Sequence, residues 1–246
     1  NATVNTQVDN VPITDPTARA TIVVNTIPVV TVDPSNFTSC VGGTATFSAT
    51  ITGTPTPTYE WRIGTTVLVN GPQASGSTVS GATTTTLTIT NVQTGDELAN
   101  YNIRATNHCG EDISANASLI VNSVTGGTVE SDQTICSGGD PAAFTESVAS
   151  TGDGVLSYQW QSSTGGCGGS FSNITGATSI TYDPPAGLTQ TTTYRRVTTS
   201  TLNAVPCTAL SNCITVTINN VTGGTIATNQ TVCSGGEPGA FTQSVA

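Results

Sequence analysis

Seven cysteines, at positions 40, 109, 136, 167, 207, 213 and 233, are the residues of this chain whose type and spacing promise chemistry. Thiols this far apart form disulfides, whereas metal sites want short-spaced pairs of cysteine or histidine. No Cys-x-x-Cys occurs, and His108 is the one histidine. The chemistry expected is therefore oxidative bridging, with no metal ligand. His108 is also the one imidazole that could serve a nucleophile as base, and it lies beside Cys109 in what reads as a loop. No Gly-x-Ser-x-Gly elbow, P-loop or dinucleotide-binding glycine pattern is present. Gly165-Gly166-Cys167-Gly168-Gly169 has the look of a phosphate cradle. It lacks the lysine and helix that complete one, and reads as a hairpin tip stapled by Cys167.

The elements that must position those cysteines follow from composition. The chain has 246 residues, a net charge of -10 and only 8% charged residues, against roughly 25% in ordinary globular proteins. Its basic residues are 5 arginines, scattered along the chain. No basic patch can offset phosphate charge, so nucleic acid is excluded as a partner, as is a polybasic contact with a membrane surface. Apolar runs such as Ile22-Val23-Val24 and Leu119-Ile120-Val121 are too short for membrane insertion. Met is absent and no signal-peptide pattern is visible, as expected of a processed or partial chain.

Fifty residues are Thr, and Val, Ile and Gly are abundant while Leu and Lys are scarce. Such a mixture favours strands and turns. From Thr44 to Thr52 every second residue is apolar and the rest are Ser or Thr. Leu87 and Ile89 alternate with threonines. Tyr59, Trp61 and Ile63 share one parity, as do Leu156, Tyr158 and Trp160, and Ile214, Val216 and Ile218. These are half-buried antiparallel strands with one wet, hydroxyl-rich face. Trp61 and Trp160 are expected in cores.

An internal repeat sets the organisation. Val124–Ala149 and Val221–Ala246 are identical at 18 of 26 positions, at an offset of 97. A more distant copy lies upstream: Cys40-Val41-Gly42-Gly43 precedes Cys136-Ser137-Gly138-Gly139 by 96 residues, and Tyr59-Glu60-Trp61 precedes Tyr158-Gln159-Trp160 by 99. A period this long is a domain. Residues 1–26 are expected to close a preceding repeat, 27–122 and 123–219 to be complete repeats, and 220–246 to open another. Superposing the copies predicts the bridges Cys40–Cys109 and Cys136–Cys207 within repeats. Cys167 and Cys213, without counterparts in the first repeat, are then paired with each other. Cys233 is left to a partner outside this chain. Linkers are almost absent, which predicts a rod with hinges at Asn122-Ser123 and Asn219-Asn220. Acids argue against catalysis: Asp132 and Glu146 become Asn229 and Gln243 in the next copy, and only Asp140 keeps an acid, Glu237. A glycosidase pair would not vary so. Calcium at the junctions has no Asp-x-Asp-x-Asp/Asn loop to hold it. No catalytic residue, cofactor or metal is expected.

About seven strands in ~100 residues is the signature of an immunoglobulin-like Greek-key sandwich, so the fold class expected is all-β, with tandem sandwiches end to end. Gly43-x-x-x-Phe47-x-Ala49, Trp61, Leu87-x-Ile89-x-Asn91-Val92, Asp96 and Ala99-x-Tyr101-x-Ile103 resemble the immunoglobulin superfamily. Ala49 and Ile103 stand where that family usually carries its inter-sheet cysteines. In the second repeat, Cys136-Ser137-Gly138-Gly139, Ser157-Tyr158-Gln159-Trp160-Gln161, Phe171-Ser172-Asn173-Ile174, Tyr182-x-Pro184-Pro185 and Tyr194-Arg195-Arg196-Val197 occur in that order. Together they resemble the Ig-like or PKD-like repeats of giant Bacteroidota cell-surface adhesins exported by the type IX secretion system, of the gliding-motility SprB kind. That resemblance implies a non-enzymatic extracellular filament or stalk at the cell surface, displaying a binding region. Its partners would be neighbouring repeats and, for the binding region, surface polysaccharide, substratum or other cell-surface proteins. A homopolymer with ends completed by a neighbour is a further assembly. The alternative is a set of accessory modules on a secreted enzyme or carbohydrate-binding protein.

Overall fold

The computed structural model describes residues 24–130, 132–226 and 229–245. The expected tail of a preceding repeat lies, up to residue 23, outside them. The first repeat holds strands β1 (Thr26–Val32), β2 (Phe37–Cys40), β3 (Thr44–Ser48), β4 (Thr50–Thr54), β5 (Thr58–Ile63) and β6 (Thr66–Val67). It continues through β7 (Gly71–Pro72), β8 (Thr78–Ser80), β9 (Thr86–Thr90), β10 (Tyr101–Asn107), β11 (Gly110–Ile113) and β12 (Leu119–Asn122). One layer runs β3-β9-β8-β7 and the other runs β11-β10-β5-β6, while β1 and β4 form a separate pair whose β1 also contacts β10 and β11. Strand β12 lies parallel to β2. The strand count exceeds the expectation in part because the alternating run 44–52 breaks at Ala49, whose N–H donates to Thr85 O at 3.0 Å, and in part because short pairings such as β6 and β7 add to it.

Alternation places the core where it was expected. In β3, Ala45 and Phe47 are buried between exposed Thr44, Thr46 and Ser48. Phe47, Trp61, Leu87, Ile89, Tyr101, Ile103 and Leu119 form the centre of this core. Trp61 is fully buried, and its indole N–H donates to Thr84 O at 2.8 Å, so the large ring is enclosed without an orphaned donor. The Tyr101 hydroxyl reaches back to Asp96 O at 2.8 Å, the corner contact typical of immunoglobulin-like sandwiches.

The second repeat is built from β13 (Val124–Thr125), β14 (Thr128–Val129), β15 (Gln133–Cys136), β16 (Glu146–Val148), β17 (Thr151–Gly152) and β18 (Val155–Ser163). Then come β19 (Ser172–Asn173), β20 (Thr192–Leu202), β21 (Val205–Leu210) and β22 (Ile214–Asn219). The main sheet runs β15-β22-β20-β18-β19, with β21 paired to β20. Its buried apolar cluster is smaller: Val129, Phe144, Trp160, Tyr194, Ile214 and Val216. Beyond it, β23 (Thr225–Ile226) pairs with β24 (Gln243–Val245) through Thr225↔Val245 and Ile226↔Gln243. That register reproduces Thr128↔Val148 and Val129↔Glu146 of the second repeat.

Candidate functional site

The end of the first repeat and the start of the second meet at the cysteines. Strands β2 and β12 end side by side, with Cys40 opposite Asn122. The tip of the β20–β21 hairpin, turned by Asn203 and Ala204 at positive φ, lies against that end. Asn122 is fully buried there. Its side chain donates to Ser200 O at 2.9 Å and Val205 O at 3.0 Å, and accepts from the Ser200 hydroxyl at 2.8 Å. Asn203 donates to Thr38 Oγ1 at 3.2 Å. Ser123 N donates to Asp153 Oδ2 at 2.6 Å, and Asp153 N returns a bond to Ser123 O at 3.1 Å. The expected hinge at Asn122-Ser123 is instead a closed polar joint.

That joint is also covalent. Cys40 is bonded to Cys207 of the next repeat, across 167 positions, with Cα atoms 5.6 Å apart. The expected pairs Cys40–Cys109 and Cys136–Cys207 are therefore corrected, and the reason is length. Within the second repeat, Cys136 lies opposite Asn219 at one end of the sheet. Cys207 lies opposite Ser200 near the other end. Strand rise separates those ends by roughly 30 Å, far beyond disulfide reach. The same holds for Cys40 and Cys109. Cys109, Cys136 and Cys233 carry free thiols. Cys167 is bonded to Cys213, Cα atoms 5.8 Å apart, which ties the glycine-rich tip to the start of β22.

The acids have structural work. Thr215 N donates to Asp132 Oδ1 at 2.7 Å, as Ser118 N donates to Asn36 Oδ1 at 2.8 Å in the first repeat. Only an acceptor oxygen is needed, which explains why Asp and Asn alternate there. Glu146 binds Arg196, and this pair occupies a telling place. Arg196 N donates to Ser211 Oγ just as Ile103 N donates to Ser114 Oγ, so Arg196 stands at the Ile103 position. Phe144 and Phe47 pack on Tyr194 and Tyr101 respectively, so Glu146, two residues on, stands at the Ala49 position. A buried ion pair thus sits where immunoglobulin domains usually join their sheets through cysteines. The Arg196 side chain has no exposure and that of Glu146 has 14%. The guanidinium also donates to Ile180 O at 2.8 Å and Gly126 O at 3.0 Å, and lies 4.8 Å from the Tyr158 ring centroid. Burial would raise the Glu146 carboxyl, but the Ser150 N–H, Arg196 and the Ser150 hydroxyl outweigh it and hold it below the usual carboxylate value. Sequence reading missed this pair; the joint change from Ala49/Ile103 to Glu146/Arg196 was the available signal.

Among the described residues, no group of three or more His, Cys, Asp or Glu side chains is arranged to hold a metal ion. No helix among them is long and apolar enough to cross a membrane. His108, placed beside Cys109 by the sequence, has its Nε2 3.3 Å from Cys109 Sγ on the exposed tip between β10 and β11. The same ring nitrogen lies 3.0 Å from the Asn25 side-chain nitrogen. The arrangement brings a thiol and an imidazole together at the end of the repeat.

Residues 28–121 match the immunoglobulin I-set domain family, and residues 125–220 match a family described as a domain of unknown function (DUF8696). No curated protein matches. Among solved structures, the chain is similar to a chimeric titin Z1Z2 functionalized with an exogenous decorin peptide, at 31% identity over 41% of this chain and 99% of that one, with a TM-score of 0.34. It is also similar to titin Z1Z2 in complex with telethonin, at 19% identity over 79% and 98% of the chains and a TM-score of 0.35. An I-band fragment from titin is similar at 14% identity over 81% and 67%, with a TM-score of 0.44. Residues 28–121 carry an immunoglobulin I-set domain, and the chain is an all-β tandem of immunoglobulin-like sandwiches.

Proposed function

We propose that this chain is a non-enzymatic, load-bearing segment of a long extracellular filament or stalk, holding a binding region away from the cell. The observation that carries the reading is the covalent joint between consecutive sandwiches, Cys40–Cys207. Disulfides of this kind belong to oxidising, extracellular compartments. A bridge between units adds nothing to the chemistry of either one, but it fixes their relative direction, which a spacer needs. I-set domains serve as structural or interaction modules, in keeping with this role. The ordered motifs of the second repeat, from Cys136-Ser137-Gly138-Gly139 to Tyr194-Arg195-Arg196-Val197, point to adhesins of the Bacteroidota type, with type IX export and gliding motility as their setting.

Antibodies raised against residues 27–219 test the proposal on intact cells of the source. Labelling along cell-attached filaments is the expected result. Label confined to the cytosol would refute it. Label that follows a soluble secreted hydrolase would replace the stalk with accessory modules.

A further inference from the structure

The joint between the two repeats recurs in this chain with half of its parts in place. Its lower half is the end of a repeat: Cys40 opposite Asn122 on parallel strands, followed by a glycine turn in which Gly43 N donates to Cys40 O at 2.9 Å. The second repeat ends in the same way, with Cys136 opposite Asn219 and Gly139 N donating to Cys136 O at 2.9 Å. Gly42 and Gly138 turn with φ of 78° and 80°. At this end Cys136 is exposed and unbonded, beside a cleft lined by Ser137, Asn219, Asn220, Val221 and Thr222. The upper half of the joint is a hairpin. Asn122 touches the β20–β21 hairpin that carries Cys207. Asn25, its counterpart 97 residues earlier, touches His108 on the β10–β11 hairpin that carries Cys109.

We propose that Cys136 and Cys109 are the two open halves of the same inter-repeat bridge. Cys136 takes the hairpin cysteine of a following repeat, and Cys109 takes the strand-end cysteine of a preceding one, so that every joint of the array is bonded. The inference needs an oxidising compartment and does not depend on the stalk reading. In the bonding step a thiolate attacks a sulfur of a small or protein disulfide and releases one thiol. The second cysteine thiolate then displaces the other, and the new S–S bond forms as the oxidant leaves as two thiols. The two protons lost by the cysteines end on the two departing thiols.

The test extends the full chain after Ala246 with a copy of residues 150–219, which completes the repeat opened by residues 220–246. The product is oxidised with a glutathione redox pair, blocked with an alkylating agent and digested without reduction, and its linked peptides are identified by mass spectrometry. The expected map joins Cys136 to the added copy of Cys207, alongside Cys40–Cys207, with Cys109 and Cys233 alkylated. In Cys136→Ser the added cysteine should become alkylated while Cys40–Cys207 persists. Capture of the added cysteine by Cys233, or alkylation of Cys136 in molecules that hold Cys40–Cys207, overturns the proposal. Loss of Cys40–Cys207 itself also overturns it, since the template is then absent.

Discussion

Arg196 shows what a single side chain can conceal. A fully buried arginine is costly unless its charge and donors are met; here one carboxylate, two carbonyls and an aromatic face meet the charge and the terminal nitrogens, while Nε is left without a hydrogen-bond partner. Removing one member of such a pair strands the other. Glu146→Ala should therefore destabilise the second repeat by about 3–5 kcal/mol, measured by guanidinium unfolding with tryptophan fluorescence. Because the Glu146 carboxyl is depressed in the folded state, its stabilisation is fully present above the unfolded glutamate pKa. It is lost as pH falls through the folded value. Glu146→Gln should flatten that acid-side dependence, and equal acid sensitivity of the variant and the parent would contradict the assignment. Tyr101→Phe should cost about 1–3 kcal/mol, because Asp96 O loses its donor in a buried corner; an unchanged midpoint would show that water replaces it. Trp61 and Trp160 were legible as core residues because large apolar rings at strand parity have nowhere else to go. Arg196 was not, since arginine is read as a surface residue until its partner is known.

Strands were legible wherever Ser or Thr alternated with apolar residues, as in β3, β9 and β22. The bridges were legible only in part. Superposition of the copies identifies equivalent cysteines, but it does not say whether a bond runs within a unit or between units. The position along the sheet decides it: Cys136 lies opposite Asn219 at one end and Cys207 opposite Ser200 near the other, so a bond can only cross to the next unit. Cys167–Cys213 closes a loop of 46 positions in the repeat with the smaller apolar cluster. Replacing both cysteines with serine should lower its stability by roughly 4 kcal/mol in a chain-entropy model. A thermal scan showing loss in the first repeat rather than the second would contradict that placement.

At the scale of the whole molecule, the absence of a linker was legible and the stiffness of the joint was not. Asn122 was expected to hinge because a short polar link joins the two units, yet it is fully buried in the junction, as is its partner Ser200. Selective reduction of Cys40–Cys207 leaves the hydrogen bonds of Asn122 and Asn203, so the two sandwiches should stay aligned but explore a wider range of angles. Small-angle scattering before and after reduction reads this directly, and an identical distance distribution would show that the polar contacts alone fix the angle.

The Cys40–Cys207 bond also changes what happens when the chain is drawn taut. The shortest covalent path between Thr26 and Asn219 leaves the backbone at Cys40 and rejoins it at Cys207. Residues 41–206 between them, a separation of 167 positions from Cys40 to Cys207, are shunted out of the tension line, together with both tryptophan cores. Fully extended they represent roughly 550 Å of contour. In single-molecule pulling, an oxidised chain should therefore yield only a small lengthening across this pair of repeats, and a reducing agent should release the hidden length in steps as each sandwich opens.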